Sequence, residues 1–236
     1  MVSWKHLILL LRNKSSLTRV LTEIELKRLG KVFPQDIQLL RVLIAGGARG
    51  LMGTERVLLE QFKSSAHPVL VNINQTASPD IIADLTCSWP FRSEVFGMII
   101  STWVLEHLKD PLIFFREAYR VLKQGGFLVA TVPFLYREHG SPYDYWRFTA
   151  TALRHLAESA GFSVVQVKRV GGSPMLSTIA LLWPLFPIPV LGVCVALLAI
   201  FIDHTLLLFS RLFRKRQEVI NSYPISYILC ALKKIK

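Results

Sequence analysis

From Arg41 to Val170 the sequence alternates, through short connections, between extended apolar runs and amphipathic helical segments. VLIAG is a short apolar strand, and TERVLLEQF (Thr54–Phe62) has helical spacing. PVLVNIN is a second strand and PDIIADL a third, shorter extended piece. FGMIIST (Phe96–Thr102) is a strand, followed by the amphipathic helix DPLIFFREAYRVL (Asp110–Leu122), which Asp110 starts and Gly125–Gly126 end. FLVATVP (Phe127–Pro133) is a strand, TATALRHLAESAG (Thr149–Gly161) a helix, and FSVVQVKRV (Phe162–Val170) a strand. Alternation of this kind predicts an α/β fold, a mostly parallel sheet with helices on both faces.

The flanks have a different character. Residues 1–40 read as basic amphipathic helices, with Lys5, Arg12, Lys14, Arg19, Lys27, Arg28 and Lys31 among leucines and isoleucines. Packing on the following domain and lying on a membrane surface both fit that pattern. No residue is charged from Val170 to Ile202. A second apolar stretch follows Asp203 and His204, then the basic cluster Arg211, Arg214, Lys215 and Arg216. YPISYILCALKK reads as one more strand. The chain is thus read as basic N-terminal helices (1–40), an α/β domain (41–170 and 223–236) and an apolar helical insertion with a basic flank (171–222).

Hydrophobic residues make up 52% of the chain, and the mean hydropathy is +0.41. These values are high for a soluble enzyme and bring a membrane element into consideration. The formal charge of +12 admits nucleic acid, anionic lipid or acidic substrates. No nucleic-acid-binding motif is present, and the cations flank the apolar parts, which points to lipid. The three cysteines, Cys87, Cys194 and Cys230, have neither a disulfide pattern nor a zinc spacing. No metal site is read from the sequence. They suit a reducing compartment, and LILLL (Leu7–Leu11) is too short for a signal-peptide core, so the chain reads as facing the cytoplasm.

The first strand runs into Gly46, Gly47, Ala48 and Gly50. A glycine turn between strand and helix offers backbone N–H groups to a ligand, and it also serves as a plain turn. The spacing is not that of a dinucleotide loop, and Asn72 ends the second strand in place of an acid. A nicotinamide dehydrogenase is therefore disfavoured.

Later motifs narrow the choice. ADLTCSWPF and FGMIISTWVLEHLKDPLIFFREAYRVLKQGGFLVATVPF closely resemble, in order, the central block of class I S-adenosylmethionine-dependent methyltransferases of the type 11 kind. HGSPYDYWRFTATALRHLAESAGF is similar to a bacterial subset associated with sugar and cell-envelope polymer modification. The resemblance covers roughly Arg41 to Val170. It implies a Rossmann-like methyltransferase sheet whose terminal strand is antiparallel, with S-adenosyl-L-methionine as cofactor. It places Gly46, Gly47 and Gly50 against the methionine part and Asn72 at the ribose. Asp84 and Leu85 fall beside the adenine, Thr102 and Trp103 in the methyl-donor pocket, and Glu106 and His107 at its edge. The chain departs from the family in having Ile44 for an acid, Ala48 for a glycine and Asn72 for the ribose acid. A neutral amide is the weaker acceptor.

Methyl transfer needs an acceptor placed behind the methyl group and a base for its proton. Candidate bases are His107 and, in the HGSPYDYW loop, His139, Tyr143, Asp144 and Tyr145. Glu106 and His107 also suit capping of the next helix, and Tyr145, Trp146 and Phe148 suit packing. Arg147 suits either an anionic group or an acid partner.

In the resembled fold the last two strands pair, so the insertion between them must return to the side it left. A single span cannot do that. Pro184, Pro187 and Pro189 divide the run into a short and a longer arm, the pattern of a re-entrant or in-plane hairpin; a true single or double span applies if the terminal segment is not a sheet strand. The expectation is a membrane-associated methyltransferase on the cytoplasmic side, acting on an oxygen of a sugar or lipid-linked glycan. A buried core helix or dimer interface is the plainer use of the apolar run. A degenerate, membrane-bound scaffold of the same fold is the alternative function. The sequence sets no oligomeric state.

Overall fold

The computed structural model describes residues 16–30, 41–51, 53–61, 68–140, 143–186, 188–210 and 222–235. Most of the basic N-terminal segment and the cluster Arg211, Arg214, Lys215 and Arg216 lie outside the described residues. The strands are β1 Val42–Ala45, β2 Val69–Asn72, β3 Ile81–Ile82, β4 Phe96–Thr102, β5 Leu122–Pro133, β6 Ser163–Gly172 and β7 Tyr223–Leu232. The helices are α1 Leu17–Leu29, α2 Gly53–Gln61, α3 Pro111–Val121, α4 Ala150–Ser159, α5 Pro174–Leu182 and α6 Pro189–Ser210.

The strands form one sheet in the order β3-β2-β1-β4-β5-β7-β6. β1 pairs in parallel with β2 and β4, β2 with β3, and β4 with β5. The ladder runs the other way at β7. Lys233 donates to the carbonyl of Gly126, and Phe134 to that of Ile225, so the partner number falls as β5 advances. The result is the expected mostly parallel sheet with an antiparallel terminal strand.

β1 and β4 are buried at every position, because parallel strands covered on both faces have no solvent side. α3 buries Phe114, Phe115, Ala118 and Val121 on one stripe. Its first turn is fixed by Asp110, which accepts from the Leu112 amide, and by Pro111, whose missing N–H costs nothing there. On the same helix the Glu117 carboxylate accepts from Arg120 and from the Trp89 amide, and Arg120 donates to the carbonyls of Trp89 and Phe91. This clasp holds the 89–91 segment to α3. It also lowers the Glu117 pKa, chiefly through the Arg120 hydrogen bond.

Gly125 and Gly126 do not end α3 as the sequence suggests. The helix stops at Val121 and β5 begins at Leu122. Gly125 lies at φ +75°, and a Cβ on Gly126 would come within 3.0 Å of the Gly97 carbonyl oxygen. The pair serves a close backbone approach at an irregular β4–β5 register.

The chain divides into two compact units, one of Leu26–Pro133, Glu138–Lys168 and Tyr227–Lys236, the other of Met1–Glu25, Phe134–Arg137 and Arg169–Ser226. The first carries β1–β5 and the methyltransferase-like motifs. The second contains a helical hairpin, α5 and α6, joined through the turn Trp183–Leu185. A Cβ on Gly192 would meet the Trp183 ring at 3.1 Å, so the glycine permits a close approach. Asp203, the acid inside the apolar region, is buried. It accepts from the amides of Met175 and Leu176 and thereby caps α5. Leu185, Ile188, Val190, Leu198 and Phe201 stand exposed on the hairpin. Among the described residues no helix is long and apolar enough to cross a membrane.

Candidate active site

The C-terminal ends of the parallel strands are where an open α/β sheet binds ligands, and a cavity of about 430 Å³ lies there. Gly46, Asn72, Asp84, Leu85, Trp103, His107, Tyr143 and Tyr145 line it, together with Ile73, Thr86 and Lys109. Residues predicted from distant stretches of sequence therefore share one space. Gly47, Gly50, Thr102, His139 and Asp144 are not on its wall.

Gly46 needs to be glycine. It adopts φ +86°, and a Cβ there would meet Val104 Cγ2 at 2.2 Å. Gly47 sits over Ile44, whose Cγ2 would be 2.8 Å from an added Cβ. The isoleucine that replaces the family's acid is fully buried and fills the floor of the loop. Ala48 is absent from the residues with positive φ, so its methyl group imposes no backbone strain.

Asn72 takes an unexpected part. Its Nδ2 donates to the carbonyls of Gly46 and Gly47 at 3.0 and 3.1 Å, and its Oδ1 accepts from the Asn74 amide. A carboxylate could not make the first two bonds, having no proton to give. The amide ties the glycine loop to β2. Asp84 Oδ1 accepts from the amide and hydroxyl of Thr86, which sets an Asx turn at the cavity wall.

Of the two residues expected in the donor pocket, Trp103 lines the cavity and Thr102 does not. Thr102 is buried, and its hydroxyl donates to Glu55 on α2 at 3.0 Å. The strand alternation sends it into the core. Trp103 has φ +58°, a strained value for a bulky residue, and its indole Nε1 is buried without a hydrogen-bond partner among the described residues.

The turn after β4 and the loop after β5 are joined at Glu106. Its carbonyl accepts from the amides of Tyr145 and Trp146, and the Trp146 indole donates to Leu108. His107 does not cap α3, since Asp110 does. Its Nδ1 lies 2.6 Å from the Tyr143 carbonyl oxygen. A carbonyl only accepts, so Nδ1 carries the hydrogen, and in the neutral ring Nε2 has the lone pair.

The Glu106 side chain is fully buried, and neither carboxylate oxygen has a hydrogen-bond partner among the described residues. Burial pushes its pKa up to about 8, against the opposing pull of its backbone hydrogen bond and of Arg147. His107 Nε2 and His139 Nε2 approach Glu106 Oε1 at 3.9 and 4.0 Å. Asp144 stands behind His139, its Oδ2 3.2 Å from Nδ1 but off the line of a hydrogen bond. Both Asp144 oxygens accept from Arg147, at 2.6 and 2.7 Å, and Oδ2 accepts also from the His139 amide. Arg147 thus holds the Asp144 carboxyl well below the ordinary carboxylate range, which makes it a weak base and a firm brace. Of the two partners that the sequence allows Arg147, an anionic group or an acid, the structure supplies the acid, Asp144. The sequence does not reveal Glu106 as the buried acid between two histidines, because the residue neighbouring a histidine in sequence gives no sign of which loop folds over it.

A second space of about 930 Å³ borders the cavity through Thr86 and Lys109. Pro111, Ile113, Trp146, Phe148, Ala152 and Leu156 make much of its wall apolar. Trp146 stacks on Phe148, the packing role expected of both.

Residues 59–130 match a family model described as a methyltransferase domain. Among solved structures, the cyclase SpnF shares 17% identity over 90% of this chain and 81% of its own, with a TM-score of 0.56. An S-adenosylmethionine-dependent methyltransferase from Mesorhizobium loti shares 14%, over 89% of this chain and 97% of its own, with a TM-score of 0.53. Phosphoethanolamine N-methyltransferase 2 from Haemonchus contortus, solved with S-adenosyl-L-methionine, shares 16% over 90% of this chain and 53% of its own, with a TM-score of 0.54. No curated protein matches the sequence. At these identities the likeness carries the fold, and the cyclase is a reminder that one fold hosts several chemistries.

Proposed function

We propose that this chain, a class I S-adenosylmethionine-dependent methyltransferase by its domain match and its fold, methylates an oxygen of a sugar or lipid-linked glycan at a membrane surface. The observation that carries methyl transfer is the cavity, which collects wall residues from the ends of β1, β2, β3 and β4 and from the loop after β5.

The residues present fit the cofactor. The Gly46 backbone forms a cradle that a side chain would fill. Asp84 commits one oxygen to the Thr86 turn and keeps the other for an exocyclic amino group, beside the apolar Leu85 and Ile73. The buried Trp103 indole N–H lacks an acceptor that a ligand can supply. When bound, the cofactor supplies an electrophilic methyl group on a sulfonium. The chain then has to hold an acceptor in line and lower its hold on a proton. His107 presents an Nε2 lone pair at the cavity, oriented by the Tyr143 carbonyl. Tyr143 and Tyr145 flank it with ring faces suited to a sugar.

Two features support an amphiphilic acceptor at a membrane. The apolar space beside the cavity suits a hydrocarbon portion. The exposed apolar hairpin suits insertion into one leaflet, and three cysteines without a disulfide pattern favour the cytoplasmic side. A second reading, a scaffold that has lost cofactor affinity, is favoured by Ile44 and by the engagement of Asn72 with the loop.

Calorimetric titration of the full chain with S-adenosylmethionine and its demethylated product separates the two. Micromolar binding is expected. No heat at millimolar ligand would overturn methyl transfer in favour of the scaffold. Transfer of labelled methyl into a glycolipid fraction, and not into delipidated sugar, is expected of the acceptor assignment.

A further inference from the structure

Glu106, His107 and His139 come from two separate loops, yet each offers one ligand atom, and these atoms lie within 4.8 Å of one another. We propose that these three side chains form a binding site for a divalent transition-metal ion of the zinc class, with open coordination positions toward the cavity.

The donor set is two imidazole nitrogens and one carboxylate, which suits zinc, iron or cobalt better than magnesium or calcium. Two ligands about 2.1 Å from one zinc ion stand roughly 3.4 Å apart at a tetrahedral angle. The Nε2–Oε1 separations of 3.9 and 4.0 Å are too long for hydrogen bonds and need only a small contraction to close on an ion. The Glu106 carboxylate is the stronger evidence. It is fully buried, neither oxygen has a hydrogen-bond partner among the described residues, and one oxygen faces both imidazoles. A buried polar group in that condition carries a desolvation penalty that a cation removes.

The surroundings are those of ligating histidines. The Tyr143 carbonyl holds the His107 Nδ1 hydrogen and turns Nε2 to the site. The Asp144 carboxylate stands 3.2 Å from His139 Nδ1 and is itself fixed by Arg147. The carbonyl behind His107 sets that ring's tautomer and strengthens the donor, and the Asp144 carboxylate places a negative charge beside the His139 ring. His107 reaches the cavity wall, so oxygen ligands approach from that side.

If the methyl-transfer reading holds, the ion's task follows from it. A cation polarises an acceptor hydroxyl and releases its proton to solvent, taking over from the imidazole the lowering of the acceptor's proton affinity. The site itself does not depend on that reading.

The test is titration of the tag-free, chelator-treated full chain with Co²⁺, followed by visible absorption, and then displacement by Zn²⁺. One ion per chain is expected, with ligand-field bands that zinc abolishes. His139→Ala and Glu106→Gln are each expected to weaken Co²⁺ binding at least tenfold, while His204→Ala, an exposed histidine outside the cluster, leaves it unchanged. Should Glu106→Gln fail to fold, His107→Ala and His139→Ala carry the test. Absence of Co²⁺ bands in the wild-type chain, or binding equally strong in the cluster variants, overturns the site. Calorimetry with S-adenosylmethionine on the same samples reads the other proposal separately. Metal binding without cofactor binding sinks methyl transfer alone, and the reverse sinks the metal site alone.

Discussion

Asn72 Nδ2 bridges the carbonyls of Gly46 and Gly47, so the residue that stands in the family's acid position works as a donor. Restoring the acid is therefore expected to harm the site. Asn72→Asp replaces two donated bonds with a carboxylate facing two carbonyl oxygens, a loss of roughly 1–3 kcal/mol in loop stability. Calorimetry should show S-adenosylmethionine binding at least tenfold weaker than wild type. Tighter binding would mean that Asn72 faces the ribose.

Asp84 tests the other end of the cavity. Asp84→Asn keeps an oxygen for the Thr86 turn but presents an amide donor where an adenine amino group would need an acceptor. The expected result is about tenfold weaker cofactor binding, with the melting temperature within a degree or two of wild type. An unchanged affinity would remove Asp84 from the adenine position.

The Glu117–Arg120 clasp predicts a pH effect on stability. The Glu117 pKa is lowered in the folded chain, mainly by the Arg120 hydrogen bond. A lowered folded pKa contributes stability that is fully present above the unfolded value, about 4.3, and lost as pH falls through the folded value. Glu117→Gln should melt below wild type at pH 6, and the gap should narrow on acidification below about pH 4. A gap that widens there would contradict the assignment.

Cys230 lies buried in β7, and burial pushes its thiol up to about 12, while Cys87 and Cys194 are exposed. The thiolate is the species that reacts. With iodoacetamide at pH 8, mass spectrometry should find Cys87 and Cys194 modified and Cys230 untouched until denaturant is added. Early labelling of Cys230 would show that β7 opens locally.

The hairpin supplies the membrane test. Leu198 and Phe201, 58% and 69% exposed, lie one turn apart on α6. The double variant Leu198→Ser, Phe201→Ser should lose most flotation with anionic liposomes, since each side chain contributes about 1.5–3 kcal/mol when buried in hydrocarbon. Flotation equal to wild type would place the anchor elsewhere.

The sheet was readable because its strands carry continuous apolar runs and its helices a single apolar stripe, signals local to each segment. β1, β4 and α3 lie within a residue or two of their predicted bounds. Gly125–Gly126 misled, because a glycine pair beyond an amphipathic run looks like a helix stop, whereas here it meets the backbone of a neighbouring strand. The cavity lining at Gly46, Asp84, Trp103 and His107 followed from motif order. The work of Asn72 and Glu106 did not, since each depends on which atoms the fold brings opposite them. A residue type shows what a side chain is able to donate or accept, and only the fold shows to whom. Thr102 is a smaller case, an alternation of one residue deciding between cavity and core.

Asp203 acts as a latch. Its carboxylate reaches across from α6 to the first amides of α5, and the two arms are shut on each other by those bonds. Drawing the hairpin out into a straight rod would leave the carboxylate bare and two amides unanswered in an apolar setting, a penalty of several kcal/mol. The folded-back form is therefore the ground state of this segment, and any surface it enters must accept it doubled over.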